Sequence, residues 1–406
     1  MPTRYAKNGT LPILIAIALG MILGLVYPNL AIDMKVLSDT FIRVVGGLMP
    51  FLLFVLVSTG VAGIKREPHH RHVVRRIIVY FQLMSCAALM LGMATGWVFN
   101  LEHGVLSTPP VPSESFLHEL SLLSASSTLY RVFTQSLVLQ VMFAAVVCGL
   151  LLGRGSALGN RCLGWLETGV QGLFYLLRIV LRFAPLAAFG AMAFVVGKYG
   201  VSSVLPLLKF VVVIYLVSAL FVVLVFATLT RLVGVKLSRL IVYLKEELLL
   251  VTFTGSSVAA LPGCVNKLEA LGCDRQLMRL VLTTGYTFNL AGTNLYLTTA
   301  IMFLAHMAGV EIAVPELLAV LVICMVTSLG STSVAGSALF TLIATLNILQ
   351  LVPLEGVGLL LGVERLMKCR SLTNVLGNCV ACLAICGWQR SIDREALHAQ
   401  LTHRPL

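Results

Sequence analysis

The sequence predicts an all-α integral membrane protein with eight transmembrane helices and two oppositely oriented re-entrant helical hairpins. Three observations carry that fold class. Of 406 residues, 58% are hydrophobic and 11% charged, with mean hydropathy +0.97, whereas a soluble domain carries about 25% charged residues. Runs without charge recur at about the length of one bilayer crossing. Two further runs hold small polar residues in the middle and carry the charge signature of one membrane side at both ends. This composition excludes a soluble enzyme, a nucleic-acid binder and a disordered scaffold.

Residues 11–32 are uncharged for 22 residues and read as span one rather than as a cleavable leader. Spans two (36–64) and three (73–100) enclose a basic loop from Lys65 to His72, followed by Arg75 and Arg76. Excess Lys and Arg mark the cytoplasmic side. Residues 101–130 contain Glu102, Glu114 and Glu119 but no Lys or Arg, which suits an external segment. Spans four (131–152), five (165–197) and six (205–230) keep the alternation, with Arg154 and Arg161 inside, Lys198 outside, and Arg231, Lys236, Arg239 and Lys245 inside.

After Lys245 the pattern changes. Leu248 to Asn266 is uncharged for 19 residues, but basic residues flank both ends, and Thr252 to Ser257 with Pro262 interrupt it. A hairpin at about 245–271 that enters and returns fits both facts, because irregular backbone at membrane depth is tolerated where it lines a cavity. Span seven covers 276–307. Leu317 to Leu354 then runs uncharged for 38 residues between Glu316 and Glu355, too long for one crossing at about 1.5 Å per residue. Its Ser328 to Ala338 middle predicts a second hairpin at about 316–350, entering from the opposite face. Span eight (356–388) ends in Arg390 and Arg394, which places both termini in the cytoplasm. The net charge of +12 is therefore an orientation signal rather than a partner surface. Two opposed hairpins, each followed by a full span, form an inverted pair, the pattern of secondary transporters that hold substrate and ions at the bilayer midplane.

Span eight holds most of the chemistry. Glu364, Arg365, Lys368 and Arg370 stand where apolar residues are expected. Each charge at the bilayer centre costs about 2.5–3.5 kcal/mol, so it faces protein or a wet cavity. Arg370, Asn374 and Asn378 share one helical face at i, i+4 and i+8. A planar guanidinium with amides on the same stripe suits a small anionic ligand. The alternative is an internal pair between Arg370 and Glu364. Arg365 and Lys368 suit a vestibule or snorkelling. The ten cysteines lie in or beside apolar runs, and no His accompanies Cys379, Cys382 and Cys386, so neither a disulfide framework nor a metal site is expected. All eight histidines fall in loops or near membrane edges, away from Ser256 and Ser257, which argues against an intramembrane hydrolase.

Several stretches carry a family resemblance. They include Lys35 to Arg43, Phe189 to Phe194 with Gly197 to Gly200, Glu246 to Leu249, and the Thr254 to Pro262 tip. Thr284 to Asn294, and Arg370 to Asn374 continuing to Asn378, complete the set. In order and over nearly the whole chain, they resemble the dicarboxylate/amino acid:cation symporter family, most closely its bacterial C4-dicarboxylate branch. The resemblance implies an elevator-type homotrimer of the bacterial inner membrane, without a cofactor. Each protomer has a scaffold of spans one, two, four and five and a mobile unit of spans three, six, seven, eight and both hairpins. It implies substrate contacts at Ser256, Ser257, Thr293, Arg370, Ser371 and Asn374, with Val334 and Gly336 in a gate at the second tip. Coupling-ion contacts fall at Gly285, Thr287, Asn289, Ser328 and Asn378, for protons and/or sodium.

Four departures sharpen these expectations. Met367 stands three residues before Arg370, where amino-acid-transporting members usually carry an Asp for an ammonium, so a dicarboxylate is favoured over an acidic amino acid. Ala291 replaces the acid of the family's Asn-x-Asp-Gly-Thr motif, and Asn378 stands where sodium-coupled members often have Asp. Neutral oxygens, including those of Gln82 and Ser85, remain for a hard cation. The loss at Ala291 also raises a passive pore as an alternative. Ser333 and Ala338 replace two glycines of the second tip. Glu364 lies six rather than seven residues before Arg370, and in a continuous helix one residue fewer rotates the upstream part by roughly 100°, which leaves open both a Glu364 that points elsewhere and one that binds an ammonium.

Overall fold

The computed structural model describes residues 11–65, 71–98, 137–200, 204–329, 331, 337–349, 351 and 357–402. Among these residues the fold is helical throughout, with no β-strand and one isolated bridge between Cys273 and Ile392. The predicted external segment 101–130 lies outside the described residues, as do Ser333, Val334 and Gly336.

Span one is divided into α1 (Leu11–Val26) and α2 (Pro28–Asp33). Tyr27 sits at φ −133° and ψ 72° because the residue before a proline is pushed out of the helical region. Helix α3 (Lys35–Lys65) is 31 residues long and carries Pro50 inside it. Helices α4 (Arg71–Val98) and α5 (Leu137–Leu152) follow. Span five differs from its predicted 165–197. It forms α6 (Ala157–Arg182) and α7 (Ala184–Tyr199), broken at Phe183 with Pro185 in the first turn of the second helix. Proline lacks the amide that would continue the ladder.

Span six runs from α8 (Val204–Phe221) through a π-helical turn at Val222–Phe226 into α9 (Ala227–Leu232). Helix α10 (Leu237–Tyr243) leads to α11 (Lys245–Thr254), a left-handed Gly255 at φ 70°, a 3-10 turn at Ser257–Ala260, and α12 (Leu261–Ala270). The arms α11 and α12 are ten residues each, roughly 15 Å, against a hydrocarbon core of about 30 Å. The chain returns on itself at their base. Tyr243 Oη donates to the Lys267 carbonyl at 3.1 Å, Lys267 Nζ donates to the Tyr243 carbonyl at 2.9 Å, and Lys267 also pairs with Glu247 at 2.6 Å.

Span seven begins at α13 (Arg275–Phe288), whose first turn is capped by Asp274 Oδ1 accepting from the Leu277 amide. It breaks at Asn289 and Leu290 and resumes as α14 (Ala291–Met307). Helices α15 (Val314–Ser328) and α16 (Ser337–Leu349) flank the second tip and touch through a 2.8 Å contact between the Thr327 and Thr345 hydroxyls. Span eight is α17 (Val357–Val363), a 3-10 turn at Glu364–Leu366, and α18 (Cys369–Trp388); α19 (Arg394–Thr402) closes the described chain.

Among the described residues, and counting across the break in span seven, four stretches are long and apolar enough to cross a membrane: His72–Thr95, Val204–Leu232, Arg275–Met307 and Cys369–Trp388. Shorter apolar helices accompany them. Outward rows such as Ile15, Leu19 and Ile22 of α1 and Leu205, Leu208 and Val212 of α8 are exposed, which is stable only where lipid replaces water. The chain is therefore a multi-pass membrane protein.

Helix α7 packs on α1, α2 and α3, and α3 on α5 and α6; α14 packs on α4 and α18. Two apolar cores result. One gathers Phe210, Phe303, Phe340 and Leu360, and the other Phe221, Met278, Val281 and Val380. The breaks of spans seven and eight fall between these cores, so their freed backbone groups and polar side chains share one buried layer.

Candidate functional site

The break in span eight delivers Arg370 to the first turn of α18, two residues after the N-cap Lys368. The preceding 3-10 turn and the Met367 dihedrals (φ −83°, ψ 59°) reset the direction of the chain. Glu364 therefore faces Arg370 in the internal pair that the sequence left as an alternative: its Oε1 accepts from Arg370 Nη2 at 2.8 Å. The 100° expectation assumed a continuous helix, and the helix is not continuous. Both side chains are buried, Arg370 at 5% and Glu364 at 7% exposure. The guanidinium lies 5.2 Å over the ring of Tyr296, a cation–π arrangement. Among the described residues, Arg370 Nη1 and Tyr296 Oη are buried and make no hydrogen bond, which leaves one arm of the fork open to an acceptor.

One turn further, Asn374 meets the start of α14. The N-cap there is Leu290, which has no side-chain oxygen. Asn374 supplies it from the neighbouring helix: its Oδ1 accepts from the amides of Gly292 at 2.8 Å and Thr293 at 3.2 Å. Its Nδ2 donates to Thr293 Oγ1 at 3.0 Å. The helices approach until backbone meets backbone, and a Cβ on Gly292 would collide with the Arg370 carbonyl.

A second turn on, Asn378 Oδ1 accepts from Asn289 Nδ2 at 3.0 Å, and Asn289 Nδ2 also reaches the Gly377 carbonyl at 3.4 Å. Asn289 Oδ1 and Asn378 Nδ2 remain buried without partners. The Gly285 carbonyl accepts from the Asn289 amide at 2.9 Å. Thr287 lies half-buried two residues before the break, and Ser328 Oγ donates within its own helix to the Met325 carbonyl.

The first hairpin tip docks on the same face. Ser257 Oγ donates to the Ser371 carbonyl at 3.2 Å, and Ser371 Oγ donates to the Gly255 carbonyl at 3.1 Å. Ser256 is half-buried beside them. The structure thus gathers Ser257, Thr293, Arg370, Ser371 and Asn374 around the start of α18, with Asn289 and Asn378 as a separate amide pair below. It does not tie Thr287 or Ser328 to that pair.

Sequence reasoning missed Tyr296 and Asn294. Asn294 Oδ1 is also buried without a partner. Tyr296 sits three residues after Thr293, so helical spacing puts both on one face, a signal that an aromatic residue in an apolar helix masks.

The sequence profile of the sodium:dicarboxylate symporter family matches residues 10–388. Proteins named C4-dicarboxylate transport protein are 38% identical to this chain: that of Burkholderia thailandensis over 99% of the chain and 97% of the relative, and that of Paraburkholderia xenovorans over 96% and 94%. That of Burkholderia pseudomallei matches at the same identity over 99% and 97%. With a match along nearly its full length and a buried arginine where its two central helices break, the chain belongs to the sodium:dicarboxylate symporter family.

Proposed function

We propose that this protein is a secondary symporter that moves a C4-dicarboxylate of the succinate, fumarate or malate type across the bacterial inner membrane, coupled to protons and/or sodium. The observation that carries the substrate class is the buried guanidinium of Arg370, which has one arm unpaired among the described residues beside its Glu364 pair, with Met367 rather than an acid three residues before it. Such a site attracts a carboxylate and offers Met367 no means of holding an amine. Ser256, Ser257, Thr293, Ser371 and Asn374 are the proposed neighbours of the substrate, with Val334 and Gly336 at the gate. Coupling ions are assigned to Gly285, Thr287, Asn289, Ser328 and Asn378, whose oxygens are neutral and suit few cations per cycle.

In this proposal the pairs α11–α12 and α15–α16 are the re-entrant hairpins of an inverted repeat. The spans-one, two, four and five scaffold stays fixed in a homotrimer while the remainder moves as an elevator, with both termini cytoplasmic. The shortness of α11 and α12 supports re-entry, and the grouping of α1, α2, α3, α5, α6 and α7 supports the division.

Uptake into proteoliposomes tests the substrate. Strong accumulation of succinate or fumarate without competition from aspartate is expected, and the reverse overturns the assignment. A second reading, acidic amino-acid symport, is favoured by the Glu364 carboxylate beside Arg370, and the same competition separates the two. Full accumulation from a sodium gradient alone, at fixed pH and zero voltage, would exclude proton coupling.

A further inference from the structure

We infer that Glu364 is the resident counter-ion of Arg370 in the empty protein, yields that place to one carboxylate of the substrate, and carries the coupled proton while displaced. This rests on the dicarboxylate reading above and names the residue through which such a substrate is coupled.

Charge balance motivates it. Among the described residues, the charged side chains counted as buried are Glu247, Glu364 and Arg370. Glu247 is matched by Lys267 at 2.6 Å, outside the central layer. Glu364 and Arg370 therefore balance each other, and the other buried side chains described in the layer are neutral, with Lys368 half-buried at the N-cap of α18 and Ala291 standing where an acid would add charge. A dicarboxylate dianion entering a balanced site leaves it two charges negative. A buried excess of that kind is strongly unfavourable unless cations accompany it.

The geometry shows where one of them goes. Arg370 has one buried arm without an acceptor among the described residues, and its guanidinium lies over the ring of Tyr296. A substrate carboxylate takes Nη1 first, then replaces Glu364 Oε1 on Nη2 to complete the two-pronged contact that a guanidinium favours. Glu364 loses its ion pair and accepts on Oε1 a proton that hydronium of the bulk solvent delivers, becoming the neutral acid. One O–H bond of hydronium breaks as one forms on Glu364, leaving water, no change of oxidation state occurs, and release reverses each step. The 3-10 turn and the open dihedrals of Met367 are the joint on which Glu364 swings.

Few other titratable groups compete for the role. Tyr296 lies in the field of both Glu364 and Arg370. Tyr215 of α8 donates its hydroxyl to the Leu366 carbonyl. Arg365, Lys368 and Cys369 adjoin on the same element, while Lys198 and Tyr199 of α7 gather around Phe194. Helix α16, which also packs on α17, brings no titratable residue, α3 brings Arg43 and Lys35 paired with Asp39 at 3.9 Å, and α8 adds Lys209.

The test is proton uptake on binding. Purified full-length protein in weak buffer is mixed with succinate and a pH-indicating dye. The wild type is expected to take up about one proton for each succinate bound. Glu364→Gln is expected to bind succinate with an affinity nearly independent of pH, to take up none, and in liposomes to exchange succinate but not accumulate it from a proton gradient. Glu364→Asp is expected to restore the uptake. Wild-type protein that binds succinate without proton uptake overturns the proposal without recourse to any variant. So does undiminished uptake by Glu364→Gln. Wild-type protein that binds no succinate overturns the dicarboxylate reading instead, which keeps the two failures apart.

Discussion

Asn374 and Thr293 are joined side chain to side chain at 3.0 Å while the Asn374 oxygen caps the helix that Thr293 begins. One residue thus holds together the two broken spans, and its loss should be felt in the fold as well as in binding. Asn374→Ala leaves two amides without their acceptor and should cost about 1–3 kcal/mol. Asn374→Asp keeps the acceptor and should retain most of that stability. Thermal unfolding of the two variants in detergent checks the order.

Arg370→Ala should insert into the membrane normally and lose succinate binding by roughly 100-fold or more, since a charge-assisted carboxylate contact disappears. It also removes the buried ion pair from Glu364, a change that costs about 3–5 kcal/mol. Adding Glu364→Gln should recover much of the stability and none of the affinity. Calorimetric titration with succinate, beside melting curves, separates the two effects. Retained affinity would move the anion site elsewhere.

Tyr296→Phe removes a buried hydroxyl that makes no hydrogen bond among the described residues. Its absence should stabilise the protein by about 1 kcal/mol. The same hydroxyl is placed to meet the substrate, so affinity should fall about tenfold. Stability and affinity moving in opposite directions is the expected signature.

Met367 is 2% exposed and three residues from Arg370. Met367→Asp places an acid near the guanidinium, where it repels a second carboxylate and attracts an amine. Succinate affinity should drop by roughly tenfold, about 1.4 kcal/mol at near-surface dielectric values. Competition by aspartate should appear where none existed, read as inhibition of labelled succinate uptake.

How much of this was legible beforehand depends on the residue. The charge-free runs locate the membrane helices because lipid leaves charge few places to go, and the small-residue clusters locate the two helix pairs. The split of span five was signalled by Pro185 and passed over in favour of the longer apolar run. Arg370, Asn374 and Asn378 were readable as a stripe because α18 is regular from Cys369 onward. The Arg370–Glu364 pair stood in the sequence only as an alternative, because the direction of Glu364 depends on the 3-10 turn, which no periodicity announces. The capping role of Asn374 was hidden for another reason. It answers a deficiency at Leu290, 84 residues earlier, and only the packing of α14 on α18 brings the two together.

The clamp at the base of the first helix pair has a mechanical meaning. Lys267 binds the Tyr243 carbonyl and Glu247 at once, so the arms α11 and α12 cannot spread independently. In the proposed elevator cycle the tip would therefore move as one body, and its Gly255 carbonyl and Ser257 hydroxyl, both engaged with Ser371, would leave α18 together.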